Sequence, residues 1–242
     1  MKRSVKIFST PHELAQNIAK EMVALIAESA KNEKRLSVAL SGGSTPELLF
    51  SILGNQYAKS VLWNYVHFFW ADERCVSPED MQSNYGMTYR NLFEKIVIPS
   101  GNIHRIRGEE DPEKEALRYS EEVSTFTNER DGIPLFDLIL LGLGEDGHTA
   151  SIFPGNEELF HTERICEVAI HPVSKQKRIT ITGQVINNAD AVWFVVSGKK
   201  KAEVLVKILS KSTHSRNFPA TCVVPVYGSL NWFIDNDAGS SL

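Results

Sequence analysis

The sequence predicts an α/β protein built on an open, mostly parallel sheet. Short apolar runs alternate along the chain with segments of helical periodicity, which is typical of parallel strands joined by helices. Several runs are apolar at nearly every position, which indicates strands buried on both faces. Glycine-rich or charged turns follow four of the runs. Together these observations predict a doubly wound, Rossmann-like sheet with helices on both faces.

Each predicted element has a local signal. The first helix begins at Thr10, a suitable N-cap because Pro11 and Glu13 follow it, and apolar residues recur at helical spacing as far as Ile26. A second helix opens at Pro46. Further helices are predicted over residues 84–94, 112–130 and 202–209. The expected strands are residues 5–8, 35–40, 66–70, 136–141, 165–170, 178–182 and 191–196.

The composition favours a domain that binds a small molecule. The chain has 242 residues, with 26 Lys and Arg against 30 Asp and Glu, so the net charge of −4 argues against a nucleic-acid partner. It contains no run of 18 uncharged apolar residues, so no membrane span is expected. We interpret residues 1–242 as a single domain in which residues 160–182 are a candidate for a small lobe. No obligate protein partner can be read from the sequence.

The cysteines and the N-terminal residues point to the cytoplasm. An odd, sparse count of three cysteines argues against a disulfide framework, and their wide spacing argues against a zinc site. The N-terminal residues include basic side chains but lack the apolar segment of a signal peptide. We therefore expect a cytoplasmic protein without a bound metal.

Four turns follow predicted strands at residues 41–45, 72–74, 142–148 and 197–201. In an open parallel sheet, ligands bind in the crevice outside the carboxyl ends of the strands. Because all four turns belong to that edge, we expect them to form one site.

The first turn has the composition of a phosphate cradle. Two glycines allow a ligand to approach the backbone, hydroxyl side chains flank them, and a helix N-terminus follows. The alternative is a tight strand–helix turn capped by a hydroxyl side chain. Arg74 and Lys201, in two of the other turns, are the basic groups that would reach the same phosphate. For these two the alternatives are a solvated loop ion pair around Arg74 and an exposed helix start around Lys201.

The third turn carries the candidate catalytic residues. Its glycines match Gly-x-Gly-x-x-Gly, but Pro154 interrupts the long helix that a dinucleotide site requires, so nucleotide binding is not favoured. His148 is a candidate general base, and Asp146 is placed to orient its ring. The alternative is a loop histidine bonded to the backbone. No Gly-x-Ser-x-Gly motif occurs, so direct attack by water is favoured over an acyl-enzyme.

The remaining histidines are interpreted as structural or surface residues, with His67 as a hydrogen-bonded strand histidine. They are His12, His67, His104, His161, His171 and His214.

Several motifs resemble those of the 6-phosphogluconolactonase family. They are Leu-Ser-Gly-Gly-Ser-Thr-Pro at residues 40–46, Trp-Ala-Asp-Glu-Arg at 70–74, Ser-Asn-Tyr at 83–85, and the most specific block at 142–155. The resemblance continues through residues 178–182 and 197–203 and covers nearly the whole chain. It implies hydrolysis of 6-phospho-D-glucono-1,5-lactone to 6-phospho-D-gluconate in the oxidative pentose phosphate pathway, with no organic cofactor and no catalytic metal.

The resemblance also implies roles for individual residues. His148 would activate water against the lactone carbonyl, with Asp146 orienting it, and Arg178 would be a second basic contact. Asp72 and Asn84 match motif positions near the sugar. Arg74 or the N–H groups of a glycine turn would stabilise the oxyanion, and both alternatives stay open. The residues that would hold the 6-phosphate are Ser41, Gly42, Gly43, Ser44, Thr45, Arg74 and Lys201.

Two other functions are compatible with parts of the pattern. A related family, the glucosamine-6-phosphate deaminases/isomerases, carries an acidic residue where this chain has Phe153, and an isomerase needs that group to move a proton between carbons. A non-catalytic sugar-phosphate sensor would carry a DNA-binding extension, whereas the first strand here is expected near Val5.

Overall fold

A parallel sheet forms the centre of the molecule. The computed structural model of the chain describes residues 2–210 and 218–242. The sheet has six strands in the order β1–β11–β10–β7–β2–β3, and every neighbouring pair is parallel. These strands are β1 (Lys2–Phe8), β2 (Leu36–Leu40), β3 (Val66–Trp70), β7 (Leu138–Leu141), β10 (Ala191–Val196) and β11 (Ser229–Asp235).

Helices flank this sheet, so the predicted fold class is confirmed. The Thr10 hydroxyl accepts the Glu13 N–H at 3.1 Å and caps the first helix as predicted. Among the described residues, no helix combines the length and apolarity needed to cross a membrane. The helices are α1 (Pro11–Lys31), α2 (Ser44–Gln56), α3 (Asn84–Asn91), α4 (Pro112–Phe126), α5 (Gly183–Asn188) and α6 (Ala202–Leu209).

The strand order places a switch point between β2 and β7. From β2 the chain proceeds outward to β3, whereas from β7 it proceeds in the opposite direction to β10 and β11. A crevice opens at such a point outside the carboxyl ends of the strands. The turns after Leu40 and Leu141 begin there.

A smaller antiparallel sheet adjoins this edge. It contains β4 (Asp72–Arg74), β9 (Lys177–Ile181) and β8 (Cys166–Ile170), in that order. The candidate lobe at residues 160–182 thus includes β8 and β9, and β9 also pairs with β4 from another part of the chain. The single-domain interpretation stays a prediction.

Two boundaries differ from the sequence prediction. The helix expected over residues 112–130 ends at Phe126, because Asn128–Arg130 forms β5 and pairs with β6 (Ile133–Leu135). Asp131 and Gly132 both have positive φ in the turn between them, the backbone that a two-residue Asp-Gly hairpin adopts. The helix expected over residues 84–94 ends at Asn91 and is followed by a short 3₁₀ turn.

Strand β11 is not among the strands predicted from the sequence. This strand lies between β1 and β10, where Trp232 stacks on Phe194 with ring centroids 3.9 Å apart. Trp193 and its neighbour Phe194 are buried in the core, as predicted. Burying aromatic side chains of this size stabilises a fold by roughly 1.5–3 kcal/mol each.

Candidate active site

The predicted turns converge on one cavity of about 150 Å³ at the switch point. Seven of the predicted site residues line it, while Gly43, Ser44, Thr45, Asn84 and Asp146 lie outside its lining. The lining residues are Ser41, Gly42, Asp72, Arg74, Gly142, Leu143, Gly144, His148, Ala150, Arg178 and Lys201.

The glycine–serine loop leads from β2 into an open helix N-terminus. Gly42 packs against Asn84 so closely that a Cβ there would lie 1.8 Å from the amide oxygen. Gly43 has φ +110°, which directs the chain into α2 at Ser44. Within the described residues no side chain caps this helix, and both Gly43 and Ser44 are exposed. The first N–H groups of α2 are therefore accessible to an anion.

Thr45 links two turns by a hydrogen bond and does not line the cavity. Its hydroxyl lies 2.6 Å from the hydroxyl of Ser197, so it joins the loop to the turn after β10. That second turn is itself fixed, because the Gly198 N–H donates to both carboxylate oxygens of buried Asp235, at 3.0 and 3.1 Å. Since Lys201 follows in the same turn, these bonds position its backbone.

The interpretation of residues 72–74 as a solvated loop is wrong. The segment is strand β4, and Asp72 and Glu73 are only 4% and 2% exposed. The Glu73 carboxylate accepts the N–H groups of Asn84 and Tyr85, both at 2.7 Å, and so caps α3. Burial raises the pKa of Glu73, and these hydrogen bonds oppose that rise. No role for Glu73 was predicted from the sequence, because Asn84 and Tyr85 lie 11 and 12 residues further along the chain.

Asp72 lines the cavity, and Asn84 lies just behind it. The Asn84 amide donates to the Asp72 carbonyl at 2.9 Å, and the Ser151 hydroxyl donates to the Asp72 carboxylate at 2.7 Å. Because the backbone carbonyl and the carboxylate of Asp72 both accept hydrogen bonds, the carboxylate is held next to Arg178, whose Nη1 lies 4.0 Å away. Asn84 thus shapes the site without lining it.

Two arginines face each other across the small sheet. Arg74 on β4 is the register partner of Arg178 on β9. Like charges opposite one another destabilise a strand pair. Among the described residues, the buried Nε of each has no hydrogen-bond partner, although Arg74 Nη1 donates to the Gln82 carbonyl at 2.6 Å. Burial lowers the pKa of Arg178. An anion in the cavity would satisfy both the charges and the unpaired donors.

Lys201 completes the basic lining. Burial lowers the pKa of its ammonium group, while the nearby carboxylates of Glu145 and Asp146 act in the opposite direction. Its neighbour Lys200 is 83% exposed and lies 4.0 Å from Glu145. Only one of these two adjacent lysines therefore belongs to the cavity.

His148 and Asp146 form a hydrogen-bonded pair. Nδ1 of His148 lies 2.6 Å from Oδ1 of Asp146. Because a carboxylate only accepts, Nδ1 carries the proton and Nε2 keeps its lone pair. Within the described part of the chain, Nε2 has no hydrogen-bond partner. Burial alone would raise the pKa of Asp146, but its hydrogen bonds to His148 and the charge of that ring lower it to about 2.

The turn around this pair depends on its glycines. The Gly144 N–H donates to the His148 carbonyl at 2.8 Å, and a Cβ at Gly144 would lie 2.1 Å from Nδ1 of the ring. Phe153 lies below, buried, with its ring centroid 4.8 Å from that of His148. No helix follows Gly147 before the short 3₁₀ turn at Glu157–Phe160, which fits the prediction that this is no dinucleotide site.

The other histidines are mostly remote from the cavity. His67 is hydrogen-bonded as predicted, with Nδ1 2.9 Å from Nε2 of His104, and His104 is in turn 2.6 Å from Glu122. His171 is the exception, since its ring contacts Phe153. His214 lies outside the described residues.

Comparison with known proteins identifies the family. The family model described as glucosamine-6-phosphate isomerases/6-phosphogluconolactonase matches residues 9–232. A 6-phosphogluconolactonase of Treponema pallidum (strain Nichols) is 42% identical over 198 residues, covering 82% of each chain. One of Aggregatibacter actinomycetemcomitans is 40% identical over 236 residues, covering 97% of this chain and 98% of that protein.

The solved structures agree. A crystal structure described as devB protein is 38% identical, covers 99% of each chain and superposes with a TM-score of 0.94. The chain belongs to the glucosamine-6-phosphate isomerase/6-phosphogluconolactonase family.

Proposed function

We propose that this protein hydrolyses 6-phospho-D-glucono-1,5-lactone to 6-phospho-D-gluconate, a step of the oxidative pentose phosphate pathway. The observation that carries the proposal is the single cavity in which the base Nε2 of His148 meets Arg74, Arg178 and Lys201. A phosphorylated ester is the substrate class that needs both a general base and a cluster of basic side chains. The relatives named as 6-phosphogluconolactonases support the same reaction.

The basic groups bind the phosphate. The open N-terminus of α2 and the Lys201 ammonium contribute positive potential, and the unpaired guanidinium N–H groups contribute donors. Binding this remote dianion holds the lactone carbonyl near His148. Such positioning lowers the activation barrier because the reacting groups need not find each other in solution.

His148 then acts as general base. Nε2 takes a proton from water while the water oxygen bonds to the lactone carbonyl carbon. The tetrahedral intermediate collapses by breaking the bond to the ring oxygen, which receives the proton back from Nε2 as the ring opens. Asp146 stays ionised and stabilises the transient imidazolium.

The turn around His148 supplies no oxyanion donor from Gly144 or Gly147. The N–H groups of Gly144 and Gly147 are already used within their turn, by the carbonyls of His148 and Gly144. They are therefore not free to stabilise an oxyanion. Arg74 and the N–H groups of the turn at residues 41–45 are the remaining candidates for the oxyanion contact.

Phe153 argues against an isomerase. Its ring is buried between His148 and Arg178 and supplies no acid or base at the position where the related deaminases/isomerases carry one. We further propose that the enzyme is cytoplasmic, acts on a small molecule alone and uses no organic cofactor or metal. All three cysteines are free.

The test uses lactone generated in place from glucose 6-phosphate by its dehydrogenase. We expect 6-phosphogluconate to form faster than by spontaneous hydrolysis, and His148→Ala to abolish most of that acceleration, by roughly 10²–10⁴-fold in kcat. Glucosamine 6-phosphate should release no ammonia.

Other results would redirect the proposal. Acceleration that survives in His148→Ala would keep the activity but remove His148 as the base. No acceleration, with 6-phosphogluconate still binding in calorimetry, would instead indicate a sugar-phosphate sensor.

A further inference from the structure

His171 packs against Phe153, whose ring also contacts the cavity residues His148 and Arg178, and one nitrogen of the His171 ring is already hydrogen-bonded. It opens the turn between β8 and β9, where its backbone N–H donates to the Gln176 carbonyl at 3.0 Å. Its Nδ1 accepts the N–H groups of Val173 and Ser174 at 3.2 and 3.1 Å. Because Nδ1 is the acceptor, the neutral ring carries its proton on Nε2.

The ring leans on the same phenylalanine as the candidate base. Phe153 packs edge-on against His171, with ring centroids 5.0 Å apart. The same Phe153 ring also contacts His148, with ring centroids 4.8 Å apart. The guanidinium of Arg178 lies over this ring as well, 5.6 Å from its centroid. The ring of Phe153 is therefore contacted by His171, His148 and Arg178.

The second nitrogen of His171 points away from its own turn. The two nitrogens of an imidazole point in widely divergent directions, so when Nδ1 faces the turn backbone, Nε2–H faces away from it. Among the described residues, Nε2 has no hydrogen-bond partner. Burial lowers the pKa of His171 and the positive charge of Arg178 lowers it further, which favours the neutral ring that donates from Nε2.

We propose that His171 is a substrate-binding residue whose Nε2–H donates a hydrogen bond to a hydroxyl or carbonyl oxygen of the sugar bound in the cavity beside His148 and Arg178. This inference rests on the proposed function and deepens it. The phosphate-binding groups fix one end of the substrate, and His171 fixes the sugar from the side of the β8–β9 turn. The contact is made by both bound lactone and product, so its loss affects affinity more than turnover.

Two conservative variants separate this role from turn capping. In His171→Asn the side-chain oxygen lies near the position of Nδ1 and still caps the turn, but no donor reaches the position of Nε2. In His171→Gln the amide nitrogen reaches the position of Nε2, but the cap is lost. We expect His171→Asn to raise KM roughly fivefold with kcat within twofold, the effect of one lost hydrogen bond. His171→Gln should keep KM within twofold of the wild type.

The controls make every outcome decisive. Val173→Ala changes the same turn at a side chain that is 84% exposed, and it should leave KM and melting temperature unchanged. Unchanged KM in His171→Asn would overturn the inference, as would a raised KM in His171→Gln together with a lowered melting temperature. Calorimetry with 6-phosphogluconate repeats the comparison without turnover. If the wild type proves inactive, the proposed function fails. Weaker binding of 6-phosphogluconate by His171→Asn than by the wild type would then still support His171 as a ligand contact. Equal binding by the two proteins, or no binding by the wild type, would overturn the inference about His171.

Discussion

A single carboxylate oxygen, Oδ1 of Asp146, holds His148 at two points. It lies 2.6 Å from Nδ1 of the ring and accepts the backbone N–H of the same residue at 3.2 Å. The two contacts fix both the orientation of the imidazole and the tautomer that leaves Nε2 basic. Because the pKa of Asp146 is lowered to about 2, this carboxylate stays ionised wherever the enzyme is folded and active.

Asp146→Asn should therefore impair turnover rather than binding. The amide removes the charge that stabilises imidazolium and permits the wrong tautomer, so we expect kcat to fall at least tenfold, with KM within threefold. Steady-state kinetics on freshly generated lactone measure both constants. Glu145→Gln is the matched control, since this neighbouring side chain is 59% exposed and outside the cavity lining, and it should retain wild-type kcat. Wild-type turnover in Asp146→Asn would contradict the orienting role.

The two adjacent lysines give a clean test of phosphate binding. Lys201→Met removes a half-buried ammonium group from the cavity, and we expect KM to rise roughly tenfold because one charge-assisted contact is lost. Lys200→Met removes the same charge from an exposed side chain and should leave KM within twofold at 0.15 M salt. Equal effects of the two substitutions would show that only the general electrostatic field matters.

Much of the candidate site is predictable because its signals are local. Gly42, Gly43 and the pair Asp146–His148 lie within short turns whose composition already indicates the chemistry. The rule that such turns share one sheet edge then brings them together. No strand order is needed for that step.

The features of the site and the fold that were not predicted depend on pairing between segments that are distant in the sequence. The opposition of Arg74 and Arg178 follows from the β4–β9 register, which joins positions about a hundred residues apart. The cap that Glu73 makes on α3 and the central position of β11 are of the same kind. His171 is interpreted from the sequence as a structural or surface residue, because the sequence of a turn does not show which ring its side chain packs against. By contrast, the Asp131–Gly132 hairpin carried a local signal that the helical periodicity before it obscured.

Gly144→Ala should displace the Asp146–His148 pair by steric overlap alone. The added Cβ would lie 2.1 Å from Nδ1 of His148 and 2.4 Å from Oδ1 of Asp146, so the ring must move. The φ of Gly144 is not in the positive range, hence backbone strain does not enter. We expect kcat to fall tenfold or more and stability to fall by roughly 1–3 kcal/mol. Gly101→Ala, where a Cβ meets nothing within 4 Å, should change neither, and wild-type kcat in Gly144→Ala would refute the close packing.

The buried pair His67 and His104 predicts how stability depends on pH. Burial, aided by the charge of His104, lowers the pKa of His67 to about 4. Burial also lowers the pKa of His104, against the opposing effect of Glu122. In the unfolded chain both rings have a pKa near 6.5, so below that pH the unfolded state binds protons that the folded state refuses. The stabilisation is complete above pH 6.5 and is lost progressively as the pH falls towards 4.

Urea unfolding at pH 7 and pH 5 measures this loss. We expect the free energy of unfolding to be lower at pH 5 by on the order of 1 kcal/mol for His67, after allowance for solvent screening. His67→Gln removes the titrating ring but keeps an amide that can bond to His104, so the difference between the two pH values should shrink in this variant. His12→Gln changes an exposed histidine and should keep the wild-type difference. The same pH difference in wild type and His67→Gln would place the acid sensitivity in another group whose pKa changes on folding.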